Sequence, residues 1–317
     1  MDRNIFILGE INADLIITGE DVTPELNREK LVDRFDQVLG SSSAITASCL
    51  AGMGYNVFFV GVVGNDPFGH FCLDQLQKNG VDTSYVTIAD HLQTGVTVSL
   101  STKDDRALLT YMGAISELTE ENIPDDIYSK ADHIHFGSFY LQEKMKKSWK
   151  TIFAKAKKHS ISTSFDTGWD PHNSWDREVI SEVIQLADYF IPSEDEILNI
   201  FNINGLDQII DQLPELSGKV VVKRGKNGSI MIEESKDILE APALKVNPID
   251  TTGAGDSFNA GLIAGHLQNL KGIELLEMAN ASGALATQRI GGASNVPSMT
   301  EVKEFMKKAK SEKDVAL

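Results

Sequence analysis

Apolar and polar positions along the chain follow two rhythms. An apolar run from Ile5 to Leu8 ends in Gly9 and gives way to a mixed stretch over 10–16, as a buried strand leaving a sheet does. Residues 40–47 open a helix whose apolar positions run through Cys49, Leu50 and Met53 to a terminating Gly54. A buried strand at 57–63 follows, then a helix with Phe68, Cys72, Leu73 and Leu76 on one face, closed by Gly80. The rhythm changes over 94–101, where Val96, Val98 and Leu100 alternate. After the polar Lys103, Asp104 and Asp105, residues 106–112 return, which predicts a β-hairpin. From His133 strands at 133–137, 161–166 and 189–192 alternate with helices near 144–158 and 177–186, predicting a parallel sheet covered by helices on both faces. Phe258, Leu262, Ile263 and Leu267 recur at helical spacing, residues 273–289 form an Ala- and Gly-rich helix, and the charged tail from Lys307 reads as frayed.

With 317 residues and 42% hydrophobic content, the chain has enough apolar material for one large α/β domain or two ordinary ones. The apolar run near the N-terminus is too short for a signal peptide, and no stretch reaches membrane-spanning length, which points to the cytoplasm and away from a membrane. Cys49 and Cys72 lie on helix faces that read as buried, so reduced thiols are expected. A formal net charge of −17 repels nucleic-acid backbones, and no cluster of basic and aromatic residues offsets it. His133 and His135 share a strand face without a third ligand at recognisable spacing, which favours packing over a metal.

The chemistry concentrates in residues 250–258, DTTGAGDSF. Gly253 and Gly255 allow a sharp turn and close approach to a ligand, and the first-turn N–H groups of the following helix attract an anion such as phosphate. Asp256 then stands at the mouth of that site, placed to take a proton from an attacking hydroxyl. No GxxxxGK[ST] loop occurs, and Phe258 stands where a dinucleotide-binding glycine pattern needs a small residue.

This stretch resembles the second signature of the ribokinase-like, or PfkB, family of sugar and nucleoside kinases, DTxGAGD followed by a small residue and Phe. Family-like segments recur in order over nearly the whole chain. The resemblance implies a single domain over 1–317 with the ribokinase-like fold: a three-layer α/β sandwich with a mostly parallel central sheet. A small β lid would be built from strands in about 12–39 and 94–113. It implies that Asp256 is the catalytic base and that the amides of Gly253, Ala254 and Gly255 form an anion hole. Asn12 and Asp14, with Gly40, Ser41 and Asp166, match positions beside the acceptor. Ser193, Lys223, Gly225, Gly228 and Asn280 match the nucleotide side, and Glu196 matches the glutamate that orders magnesium waters. ATP and Mg2+ are the implied cosubstrate and metal. Potassium, held in some members by the loops around Asp250 and Gly291, is left open. The lid in this family often pairs with a second subunit, implying a homodimer.

Several positions depart from the family pattern. Ser41 stands for a second Gly, Ile45 and Ile115 for Asn, and Ser193 for Asn. Asp170 stands where members acting on charged sugars are expected to place a cation, which favours a neutral acceptor. The expected function is ATP-dependent phosphorylation of a hydroxymethyl group on a neutral, ribose- or fructose-like sugar. A nucleoside kinase is the alternative, because isoleucines at 45 and 115 would make the pocket more apolar. A non-catalytic sensor of sugar or nucleotide is a third reading.

Overall fold

The computed structural model describes residues 2–102, 106–289, 291–293 and 295–315, so the expected turn at Lys103, Asp104 and Asp105 lies outside them. In chain order the first half contains β1 (Asn4–Leu8), β2 (Asn12–Thr18), β3 (Arg34–Leu39), α1 (Ser42–Gly52), β4 (Asn56–Gly64) and α2 (Pro67–Lys78). Then come β5 (Val81–Ala89), β6 (Gly95–Ser101), β7 (Arg106–Tyr111), α3 (Ile127–Lys130), β8 (His133–Phe136), α4 (Trp149–Lys158), β9 (Ser162–Phe165) and α5 (Arg177–Ile184). The remainder comprises β10 (Tyr189–Phe190), α6 (Glu194–Phe201), α7 (Ile209–Gln212), β11 (Lys219–Lys223), β12 (Ser229–Ile232), β13 (Ile238–Ala241), α8 (Ala254–Leu267), α9 (Gly272–Ala286) and α10 (Met299–Val315).

Nine strands form the central sheet in the order β13-β12-β11-β10-β9-β8-β1-β4-β5. Pairing is parallel from β5 through β11 and antiparallel from β11 to β13. Because successive strand residues point to opposite faces, β1 feeds both helical layers. Phe6 and Leu8 join the core under α3 to α7 with Trp149, Phe153, Ile180 and Ile197. Ile5 and Ile7 join the opposite core with Leu50, Leu76, Ile263 and Val302. The result is a three-layer sandwich, and its parallel strands carry the near-continuous apolar runs that burial on both faces demands.

A second sheet of four strands has the order β3-β2-β6-β7. The hairpin expected from alternation is present: β6 and β7 pair antiparallel from Val96 opposite Tyr111 to Ser101 opposite Arg106. β2 joins β6 in parallel, placing Asn12 beside Gly95 and Asp14 beside Thr97.

Two strand regions escape the periodicity argument. β5 lies at the sheet edge and carries exposed polar positions, so it lacks a long apolar run. β12 and β13 are four-residue antiparallel strands after a tight turn, too short for a period to show. The charged tail expected to be frayed from Lys307 continues α10 as far as Val315, and the helix's first half is anchored by the fully buried Val302. Cys49 and Cys72 are free and buried, and burial pushes both thiols up to about 12. His133 binds Ser162 and Ser164 through its two ring nitrogens (both 2.8 Å), and His135 Nδ1 meets Ser164 (2.7 Å), so both serve packing between strands.

The parallel strands end together at one edge, where an open α/β sheet presents its crevice. Glu10 follows β1, Ser138 follows β8, Asp166 follows β9, Ser193 follows β10 and Lys223 closes β11. Phe165 holds that edge from below. Its ring lies 5.4 Å from Phe190, 5.6 Å from Phe139, 5.9 Å from Phe136 and 6.4 Å from Phe153. Replacing Phe165 by Ala is expected to cost about 3–5 kcal/mol through lost burial and a residual cavity. Urea unfolding checks it, and a midpoint within error of the parent protein would contradict this packing.

Candidate active site

Gly253 precedes α8 with φ 74°, in the left-handed region. A methyl group there would lie 2.8 Å from Gly292 Cα and 3.1 Å from Ile45 Cγ2, so both angle and crowding require glycine. Asp250 fixes the loop by accepting from the Thr252 and Gly291 amides (both 2.9 Å). The Ala254 amide donates to the Thr251 carbonyl (3.3 Å). Among the described residues no hydrogen bond takes the N–H of Gly253 or Gly255, which stay available to an anion at the positive end of α8.

Asp256 sits in the first turn of α8 and is half-buried. Ser42 Oγ, from the first turn of α1, donates to Asp256 Oδ1 (2.5 Å), and Thr46 Oγ1 donates to the Asp256 carbonyl (3.3 Å). Burial pushes the carboxyl up to about 7. The Ser42 hydroxyl and the Lys223 ammonium oppose that rise, while Asp166 and Glu10 add to it. Glu10 is buried beneath the start of α1, where Ser41, Ser43 and Ser138 hydroxyls donate to its carboxylate at 3.0, 2.6 and 2.9 Å. Ser41 also caps α1, accepting from the Ala44 amide (3.0 Å), and adopts φ 71°. That angle explains why glycine is usual there, and the hydrogen bonds hold serine in it.

Asn12 and Asp14 lie together on β2. Asn12 Nδ2 donates to Asp14 Oδ1 (2.7 Å) and reaches Thr97 Oγ1 (3.3 Å), which in turn meets Thr110 Oγ1 (3.0 Å) across β6 and β7. Gly40 closes over this pair, and a methyl group at Gly40 would fall 2.1 Å from Asp14 Oδ1. Burial raises Asp14 to about 6, against the Asn12 hydrogen bond and the Arg106 charge. Arg106, on β7, donates to Thr252 Oγ1 (3.0 Å) and so ties the second sheet to the glycine loop.

Asp166, matched by sequence to the acceptor, is instead buried against Lys223. Lys223 Nζ and Asn259 Nδ2 both meet Asp166 Oδ2 at 2.6 Å. Three further expectations about the acceptor change. Ile45 is buried under Gly253 and Gly292, and Ile115 is buried against Gly95, so both pack the scaffold instead of making a pocket wall more apolar. Asp170 is sealed in its own loop, accepting from the His172, Ser174 and Trp175 amides and the Ser174 hydroxyl at 2.6 to 2.9 Å. It therefore says nothing about acceptor charge. Trp169 is exposed, edge-on to Trp175 (4.9 Å).

On the other side of the loop lies a cavity of about 850 Å³ walled by Lys223, Gly225, Gly228, Leu244, Gly255 and Asn280. Gly228, at φ 85°, lets its turn press against the end of β13, since a methyl there would lie 2.1 Å from the Ala241 carbonyl. Gly225 also has a positive φ, 52°. Asn280 Nδ2 donates to the Ala241 and Pro242 carbonyls (3.2 and 3.4 Å), fixing its amide at the wall. Ser193 and Glu196 cap α6 reciprocally: the Ser193 amide donates to Glu196 Oε2 (2.7 Å) and the Glu196 amide to Ser193 Oγ (3.3 Å). Among the described residues no hydrogen bond occupies Glu196 Oε1. Burial raises the Glu196 carboxyl, with Asp166 adding to it.

Sequence reasoning missed Ser42, Glu10, Asn259 and Arg106. Asn259 had a signal, three residues after Asp256 on one helix face within an apolar run. Ser42 had none, because its partner lies 214 residues away.

The pfkB family carbohydrate kinase model matches residues 2–299. A protein of Pyrococcus horikoshii described as a sugar kinase is 31% identical over 309 residues, covering 94% of each chain. The ribokinase of Bacillus subtilis is 29% identical over 307 residues, 96% of this chain and 99% of that one. Among solved structures, Arabidopsis thaliana ribokinase complexed with ribose and ATP superposes with a TM-score of 0.83 at 22% identity, covering 97% and 99% of the two chains. The glycine loop with its carboxylate, the cavity beside it and these likenesses converge: the chain belongs to the pfkB family of carbohydrate kinases, phosphotransferases that act on an alcohol group.

Proposed function

We propose that the protein transfers the γ-phosphoryl group of ATP to a hydroxymethyl group of a neutral sugar. The observation that carries this reading is Asp256, whose carboxyl, raised to about 7, stands in the first turn of α8 directly after Ala254 and Gly255, which line the 850 Å³ cavity. A base with such a pKa is matched to proton transfer near neutral pH. Asp256 takes the proton of the acceptor hydroxyl as its oxygen bonds to the γ-phosphorus, and the bond to the β,γ-bridging oxygen breaks with its electrons leaving on ADP. The Gly253 and Gly255 amides hold the charge on the phosphoryl oxygens, with the Ala254 amide already committed to Thr251. Ser42 keeps the carboxylate oriented and ionisable.

Asn12 and Asp14 orient the acceptor hydroxyls, and Gly40 leaves them room. The case for a neutral acceptor rests on the carboxylates of Asp14 and Asp256 on that side, since Asp170 is spent on its loop. The cavity suits a nucleotide: Lys223, the Gly225 and Gly228 turn, and Asn280 all line it, with Gly255 of the glycine loop. A magnesium ion fits a site of this kind, because Mg2+ is commonly held by one or two carboxylates, waters and substrate phosphates. Glu196, with Oε1 open, is the residue for it. When bound, the ion neutralises charge on the phosphate oxygens.

The second sheet serves as the lid over the acceptor, linked to the glycine loop by Arg106. Its exposed Phe35, Leu108, Leu109 and Tyr111 support pairing with a second copy of the chain. The nucleoside reading loses its motivation with Ile45 and Ile115 buried.

ADP release over a panel of aldoses, ketoses and nucleosides tests the acceptor. Turnover is expected with a neutral sugar, and turnover confined to nucleosides would sink the proposal. Two carboxyls titrate in the working range, Asp256 near 7 and Asp14 near 6. Both act ionised, so log kcat/KM is expected to fall below pH 7 with unit slope and to approach a slope of two below pH 6. Asp14→Asn, at whatever activity remains, returns the acid limb to unit slope; a flat profile from pH 5 to 8 would contradict the assignment.

A further inference from the structure

Lys223 holds more structure than a nucleotide contact requires. It closes β11, and its side chain runs beside the first turn of α8, where a methyl group at Gly255 would lie 3.8 Å from Nζ and 4.0 Å from Cδ. There Nζ meets Asp166 Oδ2 (2.6 Å) and Asn259 Oδ1 (3.4 Å), while Asn259 Nδ2 donates to the same carboxylate oxygen (2.6 Å). Asp166 is pinned in turn by the Gly168 amide (3.0 Å). The side chains of Lys223 and Asp166 are only 15% and 5% exposed. Burial works against the ammonium, but Asp166 and Glu196 outweigh it and keep Lys223 charged.

A buried ion pair is a poor device for stability alone, because removing both charges from water offsets most of their attraction. Of the pair, Lys223 lines the cavity together with Ala254 and Gly255. Asp166 and Asn259 take two of the three ammonium donors, and among the described residues no hydrogen bond takes the third. A charged donor beside a helix N-terminus favours an anion.

The geometry points to Lys223 as a catalytic residue that donates to an equatorial oxygen of the phosphoryl group in transfer, with Asp166 and Asn259 as positioning residues that hold its ammonium beside Gly255. This rests on the proposed phosphoryl site at 253–256 and moves Asp166 from the acceptor to the phosphate side of that site. Lys223 transfers no proton: Asp256 receives the hydroxyl proton, and ADP leaves with the electrons of the broken P–O bond.

The test uses Lys223→Gln/Asp166→Asn, which removes both charges together and leaves no unpaired buried ion, alongside Lys223→Arg. Affinities for ADP and for ADP with aluminium fluoride, a mimic of the phosphoryl group in transfer, are measured with magnesium present, together with kcat and the acceptor KM. Removing one such donor costs on the order of 100- to 1,000-fold in kcat. The double variant is expected to lose that much kcat and a similar factor in aluminium fluoride affinity, with ADP affinity and acceptor KM within about threefold; Lys223→Arg recovers part of both. Equal losses for ADP and its aluminium fluoride complex, or kcat within threefold of the parent, would overturn the inference. A double variant that does not fold, as judged by circular dichroism, while Lys223→Arg keeps full activity would also overturn it, because the pair would then be structural. Turnover within about threefold of the parent after Asp256→Asn would instead count against the phosphoryl site itself.

Discussion

The structure depends on placing a basic carboxylate at the positive end of a helix without losing its basicity. A helix N-terminus stabilises the ionised form of an acid, which would leave Asp256 a weak base. Burial raises its pKa, and the neighbouring charges of Asp166 and Glu10 reinforce that. Ser42 and Lys223 limit the rise, so the carboxyl settles near neutrality. The same helix end keeps the Gly253 and Gly255 amides open for an anion. The proposed proton acceptor and the proposed anion site thus share one helical turn.

The sheet topology supplies those neighbours. Parallel strands end at a common edge, so residues far apart in sequence arrive side by side: Glu10 after β1, Asp166 after β9, Glu196 beyond β10 and Lys223 at the end of β11. The aromatic layer around Phe165 holds the edge rigid. β2 leaves the central sheet's neighbourhood to pair with β6, carrying Asn12 and Asp14 into the second sheet. The residues proposed to orient the acceptor therefore ride on a different element from those proposed to hold phosphate. Arg106 reaching Thr252 is the described side-chain link between that sheet and the loop.

Elements with long apolar runs were legible from the sequence: β1, β4, the β6–β7 hairpin and the repeating strands and helices after His133. The polar edge strand β5 and the short β12 and β13 were not, since pairing at an edge leaves no period to read. At the site, the glycine loop opens α8 as the glycine-rich turn and the apolar run after it implied, whereas residues that substitute within a motif misled. Ile45, Ile115 and Asp170 read as changes in the acceptor pocket, yet the first two are packing and the third anchors its own loop. A motif records which positions approach the site, and only the packing shows where a side chain points. Ser42 and Glu10 were invisible for the converse reason: their roles exist only through partners brought close by folding.

The most direct measurement of the central claim separates chemistry from binding at Asp256. Asp256→Asn removes the base while keeping its size and its place in the first turn of α8. Single-turnover phosphoryl transfer to the sugar identified from the panel should fall by 100- to 10,000-fold, the usual range for a general base, while ATP affinity stays within about threefold of the parent protein. Transfer at the parental rate, or loss of ATP binding in step with loss of transfer, would contradict the role assigned to Asp256.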